Sequence, residues 1–534
     1  MGARVWRQPL DDHSESILGG GQEPAAMGTP GVYQDRHNDS NQETVTPLLA
    51  GDDLYLPVDG GQGWFNRKQF VPESKRLFDL TLPSVGMYAV QALLATVSLA
   101  FVGHLGAVEL ASAAISVTVT NACGRFVLLG LSSGMETLCG QAFGAGQLLQ
   151  LGEILQLGII ILNLSCVPLI AILWHTEAIL LLCHQQVDVA HNATVFVKYM
   201  IPGIIVQAWS CTVEKFLQAQ GLVVPLAVAS SAAFLVHVPF SWFLVFKAGL
   251  GLIGAAIAIS VSYAIYLFGL LLWIWHFRLH EKTWHRWSLQ CFQRWGEYMR
   301  LSLPACVMLC IEWWSFELAI IVAGLLPNPA IEVGAFSICL NAIIIIFMLP
   351  LGLSVAVSTR VSNELGAGHP RRARQVAATC IILALSAGGI LGGFIFVLRN
   401  QWSLLFTDTH GEEDVRILAA RMFPFVAVLH FSDFVQVSLQ GVLRGSGRQL
   451  TGALVNLGAF YVVAVPIGLY CAFSCHLGAL GIWIGLMCGS VVQSTSFLLF
   501  AVFLDWNEES RKAVILVKDG MPQRPITDDQ SSTI

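Results

Sequence analysis

Charge is what this chain has least of. Acids and bases together make up 12% of its 534 residues, against 55% hydrophobic ones. That is about half the charged share of an ordinary soluble protein, and it excludes a string of soluble domains. A basic excess is missing too. Acids outnumber bases by six, and the tails account for the difference: residues 1–77 hold eleven acids and seven bases, residues 505–534 six and four, and the stretch between them eighteen of each. Nothing in that balance calls for nucleic acid as a partner. The thirteen cysteines show no CxxC and no metal-ligand spacing. Most lie in apolar runs, where Cys behaves as a small buried hydrophobe. Cys471 and Cys475 read as the one close pair, but helical i, i+4 geometry puts their Cα atoms near the limit for a disulfide. Residues 1–74 contain no apolar run of signal-peptide length. They are polar, rich in Gly, Asp, Gln and Pro, and read as a disordered tail.

Long apolar runs are what the chain has instead. Twelve segments are long enough to cross a bilayer as helices: 78–103, 110–141, 151–174, 190–219, 223–246, 251–276, 296–325, 332–359, 375–399, 413–443, 450–474 and 477–504. The fold class expected is an all-α polytopic membrane protein. Basic residues set its orientation. Arg278, Lys282, Arg286 and Arg294 lie between segments 6 and 7, Arg371, Arg372 and Arg374 between 8 and 9, and Arg444 and Arg448 after segment 10. Those links share a side with both termini. The opposite loops carry acids such as Glu177, Asp188, Asp408 and the run Glu412–Asp414. Excess Lys and Arg mark the cytosolic side, so both termini are expected in the cytosol.

The chain also repeats itself. Gly130-Leu131-Ser132 stands fourteen residues before Gly144-Ala145-Gly146, and Gly352-Leu353-Ser354 the same fourteen before Gly366-Ala367-Gly368, at an offset of 222. Leu82-Pro83 matches Leu303-Pro304 and Gly103 matches Gly324 at 221. Pro239 matches Pro466, and Gly251-x-x-Gly254 matches Gly478-x-x-Gly481, at 227. Six segments are therefore duplicated, and an even number leaves both copies in the same orientation. The expected organisation is a disordered cytosolic tail over 1–77, a first lobe over 78–280, a linker over 281–295, a second lobe over 296–504 and a cytosolic tail over 505–534. Such repeats are typical of alternating-access transporters, with the substrate between the halves.

One segment carries acids at membrane depth. Leu309–Gly324, LCIEWWSFELAIIVAG, holds Glu312 and Glu317 around Trp313 and Trp314. An ionisable group there costs at least about 2.5 kcal/mol and is a functional-site hypothesis by default. Subtracting the 221-residue offset puts Gln91 and Thr96 at the equivalent positions. Packing would act on both lobes alike, so the asymmetry argues for chemistry in one.

The segments GMETLCGQAFGAG (134–146), CIEWWSFELAIIVAGLLPNP (310–329), SICLNAI (337–343), STRVSNELGAG (358–368) and QGVLRGSGRQ (440–449) resemble multidrug and toxic compound extrusion (MATE) transporters. The resemblance covers residues 75 to 505 and is of the plant type, to which Asn341 conforms. It implies two six-helix lobes forming a V around a cavity, and antiport of protons against organic cations, alkaloids, flavonoids or organic acids. It also implies a proton-coupled pair, Glu312 and Asp433; Asp433 is placed by Gln436 three residues on and Arg444-Gly445 eleven on. Protons rather than sodium follow from the resemblance alone, and no cofactor, catalytic residue or metal site is implied. The membrane is vacuolar or plasma.

Each singled-out residue has a structural alternative. Glu312 and Asp433 fit coupling because desolvation and a second carboxylate both favour the protonated form; they equally fit two carboxylates tied by hydrogen bonds. Glu317, about 140° around the helix from Glu312, is assigned support. Trp313, Trp314 and Phe316 suit a wall for flat or cationic compounds, or ordinary packing. Gln91, Asn341 and Gln436 are further cavity candidates. Arg125, where the family usually has an apolar residue, either biases the first lobe towards anions or pairs with Glu136 or Glu214. Pro239 and Pro466 break segments 5 and 11 as hinges or static kinks. The Asn192-Ala193-Thr194 sequon lies on the non-cytosolic side, close to a segment end. Rival readings are a lipid flippase, which needs a more basic cavity, and a membrane enzyme using His430 and Asp433.

Overall fold

The computed structural model describes residues 65–183, 185–284, 286–402 and 413–519, all within one compact unit that begins at Pro57. The tail residues 1–64 and 520–534, and the loop acids Asp408 and Glu412, lie outside them. Twelve helices among the described residues are long and apolar enough to span a membrane. They are α1 (Arg67–Gly103), α2 (Ala107–Gly144), α3 (Leu148–Trp174), α4 (Val187–Ala219), α5 (Val224–Lys247), α6 (Gly251–His276), α7 (Leu289–Ala323), α8 (Ile331–Gly366), α9 (Pro370–Val397), α10 (Glu413–Gly445), α11 (Gln449–Ser474) and α12 (Ala479–Phe503). Leu235, Phe268, Ile390, Val397 and Phe503 are each about two-thirds exposed or more, as expected of side chains that face lipid.

Packing divides the bundle unequally. At the ends away from the basic loops, two apolar cores are separate. One gathers Val102, Ala113, Phe196, Val245 and Ala255 from the first lobe. The other gathers Ala319, Ala335, Phe423, Ala472 and Trp483 from the second. Next to the basic loops a single core holds Met87, Leu128 and Met135 together with Tyr298 and Val355. Two lobes joined at one end and parted at the other make a V.

The duplicated glycine motif explains the joint. A Cβ on Gly144 would lie 1.9 Å from the Asn363 carbonyl oxygen, and one on Gly366 would lie 2.1 Å from that of Gln141. Each partner precedes the opposite glycine by three residues, so α2 and α8 cross backbone to backbone about a local two-fold. The third glycine of each copy does a different job. Gly146 (φ 72°) and Gly368 (φ 75°) end their helices in the left-handed region, where a side chain is costly.

Both expected tails are partly helical. Residues 67–77 belong to α1 and grip the second lobe: the Asn66 N–H donates to Gln375 Oε1 (2.8 Å), and Arg360 Nε donates to Glu73 Oε1 (3.0 Å). Polarity suggested disorder there, but the polar groups are spent on inter-helix bonds. Residues Trp506–Asp519 form a further helix, α13. Its Ala513 and Trp506 pack with α8, α9 and α10. Its Leu516 and Val517 carbonyls, in the last turn, accept from Arg294 Nη2 (3.3 Å) and Gln150 Nε2 (3.0 Å). A cation and an amide there satisfy groups that the helix leaves unpaired. The linker is also structured, with a helix at Leu279–Thr283 and a 3₁₀ segment at Leu289–Arg294 that forms the first turns of α7.

Candidate functional site

A cavity of about 380 Å³ lies between the lobes, within the range that accepts small organic molecules. Gln91, Arg125, Phe126, Glu312, Trp313, Asn341 and Gln440 are among its lining residues. Helix α7 delivers Glu312 and Trp313, and α10 delivers Gln440. Glu312 is buried and held by amides: Gln436 Nε2 donates to Oε1 (2.8 Å) and Gln440 Nε2 to Oε2 (2.7 Å). Gln440 also donates to Gln436 Oε1 at 2.7 Å, which locks the two side chains, one helical turn apart, into a ladder. Asp433 lies one turn before Gln436 on α10, and its Oδ1 accepts from Ser490 Oγ of α12 at 2.6 Å. A small cavity of about 20 Å³ has Glu312, Asp433, Trp313 and Phe316 on its wall. The two carboxylates thus line one small cavity.

Trp313 stacks on Phe126 of α2, ring centroids 4.9 Å apart and 18° between planes, and meets Phe347 edge-on at 5.4 Å. The aromatic wall crosses from lobe to lobe. Trp314 does not belong to it. One residue further round α7, it is 45% exposed and faces outward. Gln436 is fully buried behind Glu312 instead of lining the main cavity. Glu317 is half-buried and makes no hydrogen bond or ion pair with another described residue, so no contact ties it to Glu312. Asn341 faces the cavity while its Nδ2 donates to the Ser337 carbonyl at 2.9 Å.

Arg125 has neither partner foreseen for it. Its Nη2 donates to Gln91 Oε1 at 2.9 Å, and no carboxylate of a described residue lies within ion-pair distance. Glu136 is engaged elsewhere, with Lys215 Nζ at 2.6 Å and Arg444 Nε at 3.5 Å. Glu214 accepts from Gln218 (3.0 Å) and Tyr266 (3.4 Å). The Glu136 cluster bridges α2 and α4 to α10 at the joined end, and Arg444 continues it to Ser354 of α8 at 2.6 Å. Sequence reading missed Gln440, Ser490, Lys215 and Arg444 as partners. The one available signal for Gln440 was its four-residue spacing from Gln436.

Other expectations meet simple outcomes. Pro239 and Pro466 each sit beside π-helical turns, Phe243–Lys247 after the first, and Leu457–Ala464 and Tyr470–Ser474 on either side of the second. Cys471 and Cys475 are free. A second i, i+4 pair, Cys306 and Cys310 of α7, went unnoticed in the sequence, with sulfurs 4.0 Å apart. The Thr194 hydroxyl of the sequon is buried and bonds the Ala190 carbonyl at 2.8 Å within α4, which hides the motif from modification. Both ring nitrogens of His430 are buried with no hydrogen-bond partner among the described residues, so His430 and Asp433 form no hydrogen-bonded acid–base pair. Among the described residues no cluster of three or more His, Cys, Asp or Glu side chains is placed to hold a metal ion.

The sequence matches the MatE family model over residues 83–243 and 304–470. The two matches start 221 residues apart and end 227 apart, the same offsets as the internal repeat. Protein DETOXIFICATION 16 of Arabidopsis thaliana is 37% identical over 482 residues, which cover 90% of this chain and 98% of that one. Protein DETOXIFICATION 12 of the same plant is 36% identical, over 86% and 96%. Among solved structures, the eukaryotic MATE transporter AtDTX14 superposes with a TM-score of 0.80 at 37% identity, covering 84% of this chain and 99% of its own. The Vibrio cholerae MATE transporter VcmN shares the fold, with a TM-score of 0.73 at 17% identity over 85% and 100%. Duplicated lobes, a lipid-facing surface, a central cavity and full-length relatives agree, and the chain belongs to the MATE family of membrane transporters.

Proposed function

We propose that this transporter is a proton-coupled antiporter that expels small organic compounds from the cytosol across the vacuolar or plasma membrane, with both termini cytosolic. The observation that carries the reading is Glu312: a carboxylate buried at membrane depth, facing the substrate cavity on one side and an amide ladder on the other. Protonation turns one acceptor oxygen of Glu312 into a donor, which no longer matches an amide N–H. One of Gln436 and Gln440 then has to turn its amide, and because they bond each other the change passes along α10. The space shared with Asp433 has room for about one water molecule, enough to relay a proton between the carboxylates. Protonation from the open side favours release of substrate there, and loss of the proton to the cytosol restores the accepting state. The proton's different affinity for the two states drives the cycle. Pro239 and Pro466, with the π-helical turns beside them, serve as the points where α5 and α11 bend.

The test is flux in proteoliposomes with an imposed pH gradient. Glu312→Gln and Asp433→Asn are each expected to abolish gradient-driven export while leaving the protein folded. Unchanged flux in both variants refutes the coupling site.

A further inference from the structure

The main cavity carries a cation with no carboxylate of a described residue within ion-pair distance. Arg125 of α2 lines it and is half-buried, with a hydrogen bond to the neutral Gln91. The other cations on the wall, Lys215 and Arg444, share Glu136. An intramembrane arginine is normally paired with a protein acid or marks a substrate path.

The internal repeat shows that the charge is not a packing requirement. The 222-residue offset that relates the Gly-Leu-Ser motifs of α2 and α8 places Phe347 opposite Arg125. Phe347 lines the same cavity from an uninterrupted helix. Residues Asn121–Arg125, by contrast, form a π-helical turn, a local irregularity that recurs at functional sites. Lobe one has an amide (Gln91) where lobe two has the acid (Glu312), and a cation (Arg125) where lobe two has a ring. The stacked Phe126 and Trp313 rings line the same cavity as Arg125.

We infer that Arg125 is the anion-binding subsite of the cavity, and that the cargo it selects is an aromatic organic anion whose carboxylate bonds the guanidinium while its ring lies against Phe126 and Trp313. Gln91 accepts one N–H of the guanidinium and leaves its remaining N–H groups for the ligand, which can engage two of them in parallel. The site lies in the lobe opposite Glu312, so the anion and the proton do not compete for one group. The inference rests on the transporter reading in that it takes this cavity to be the cargo's.

One nearby acid supplies the competing explanation. Glu214 lines a small side cavity together with Arg125 and Gln91, so Arg125 could serve only to balance Glu214 at longer range. The experiment separates the two. Equilibrium binding of the aromatic carboxylate fluorescein and the aromatic cation ethidium is measured on purified full-length protein without a gradient, followed by flux of both in proteoliposomes. Arg125→Gln is expected to weaken fluorescein binding roughly tenfold or more, the size of a lost charged hydrogen bond, and to leave ethidium binding within about twofold. Arg125→Lys, which keeps the charge, retains part of the fluorescein affinity. The double variant Arg125→Gln/Glu214→Gln stays defective. Recovery of fluorescein binding in the double variant, an equal loss for both probes, or no loss at all overturns the assignment. Binding needs no proton gradient, so failure of Glu312-dependent coupling leaves this result readable on its own.

Discussion

Glu136→Gln tests the ionic joint between the lobes. Glu136 is the only carboxylate of a described residue within 4 Å of either Lys215 or Arg444, and all three residues are buried. Removing one partner of a buried pair costs about 3–5 kcal/mol because the other charge stays uncompensated. Two cations are stranded here, but glutamine keeps an oxygen for Lys215, and a neutral bond offsets about 1 kcal/mol. The net loss is about 3 kcal/mol. In a chain of this length each kcal/mol moves the midpoint by about 1–2 °C, less than in small domains because the unfolding entropy grows with size. Thermal unfolding followed by tryptophan fluorescence in detergent is therefore expected to show a fall of about 3–6 °C. Lys215→Met alone should also destabilise, yet the double variant Glu136→Gln/Lys215→Met should lose less than the sum, with a coupling of at least about 1.5 kcal/mol. A fall below a degree for Glu136→Gln, or strict additivity in the double variant, refutes the reasoning.

Further outcomes follow from the packing. Gly144→Ala and Gly366→Ala each drive a methyl into a backbone carbonyl of the other lobe and should cost about 1–3 kcal/mol. Gly124→Ala, whose Cβ would meet only side-chain carbons at 3.7 Å and beyond, should be neutral or stabilising in the same melt. Glu332 Oε2 accepts the Ala479 N–H at 2.8 Å at the start of α12. Glu332→Ala should cost about 1 kcal/mol, as expected for a lost helix cap, and Glu332→Gln less. Arg294→Ala removes the cation that holds the last turn of α13. It should speed tryptic cleavage at Arg511, Lys512 and Lys518 without lowering the melting temperature by more than about two degrees. Since the cysteines are free, a reducing agent should leave that temperature unchanged.

Much of the fold was legible because hydropathy is a local property. Twelve spans, their duplication at offsets of 221 to 227, and acids at membrane depth all follow from runs, spacings and the cost of burying charge. The doubled Gly-x-Gly motif was legible as a repeat. Its purpose, a backbone-to-backbone crossing of α2 and α8, needed both helices in place. The polar start of the chain was misread for a related reason. Residues 67–77 look solvated in one dimension, and become fixed because Gln375 and Arg360 lie across from them.

The site divides the same way. Sequence alone determined that Glu312 sits deep in a span, with a neutral counterpart in the other lobe, and that Arg125 was out of place. Tertiary structure decided which way each side chain turns and what it meets. Neighbouring residues on a helix lie about 100° apart, so Trp313 enters the cavity and Trp314 leaves it. Gln436 and Gln440 donate to Glu312, and Ser490 donates to Asp433. Arg125 meets the amide of Gln91 because α1 lies across from it, while Glu136, eleven residues further along α2 and about 16 Å away at 1.5 Å per residue, pairs with two cations from other helices. Helix rotation and the partners it brings together depend on the whole bundle, and no window of sequence contains them.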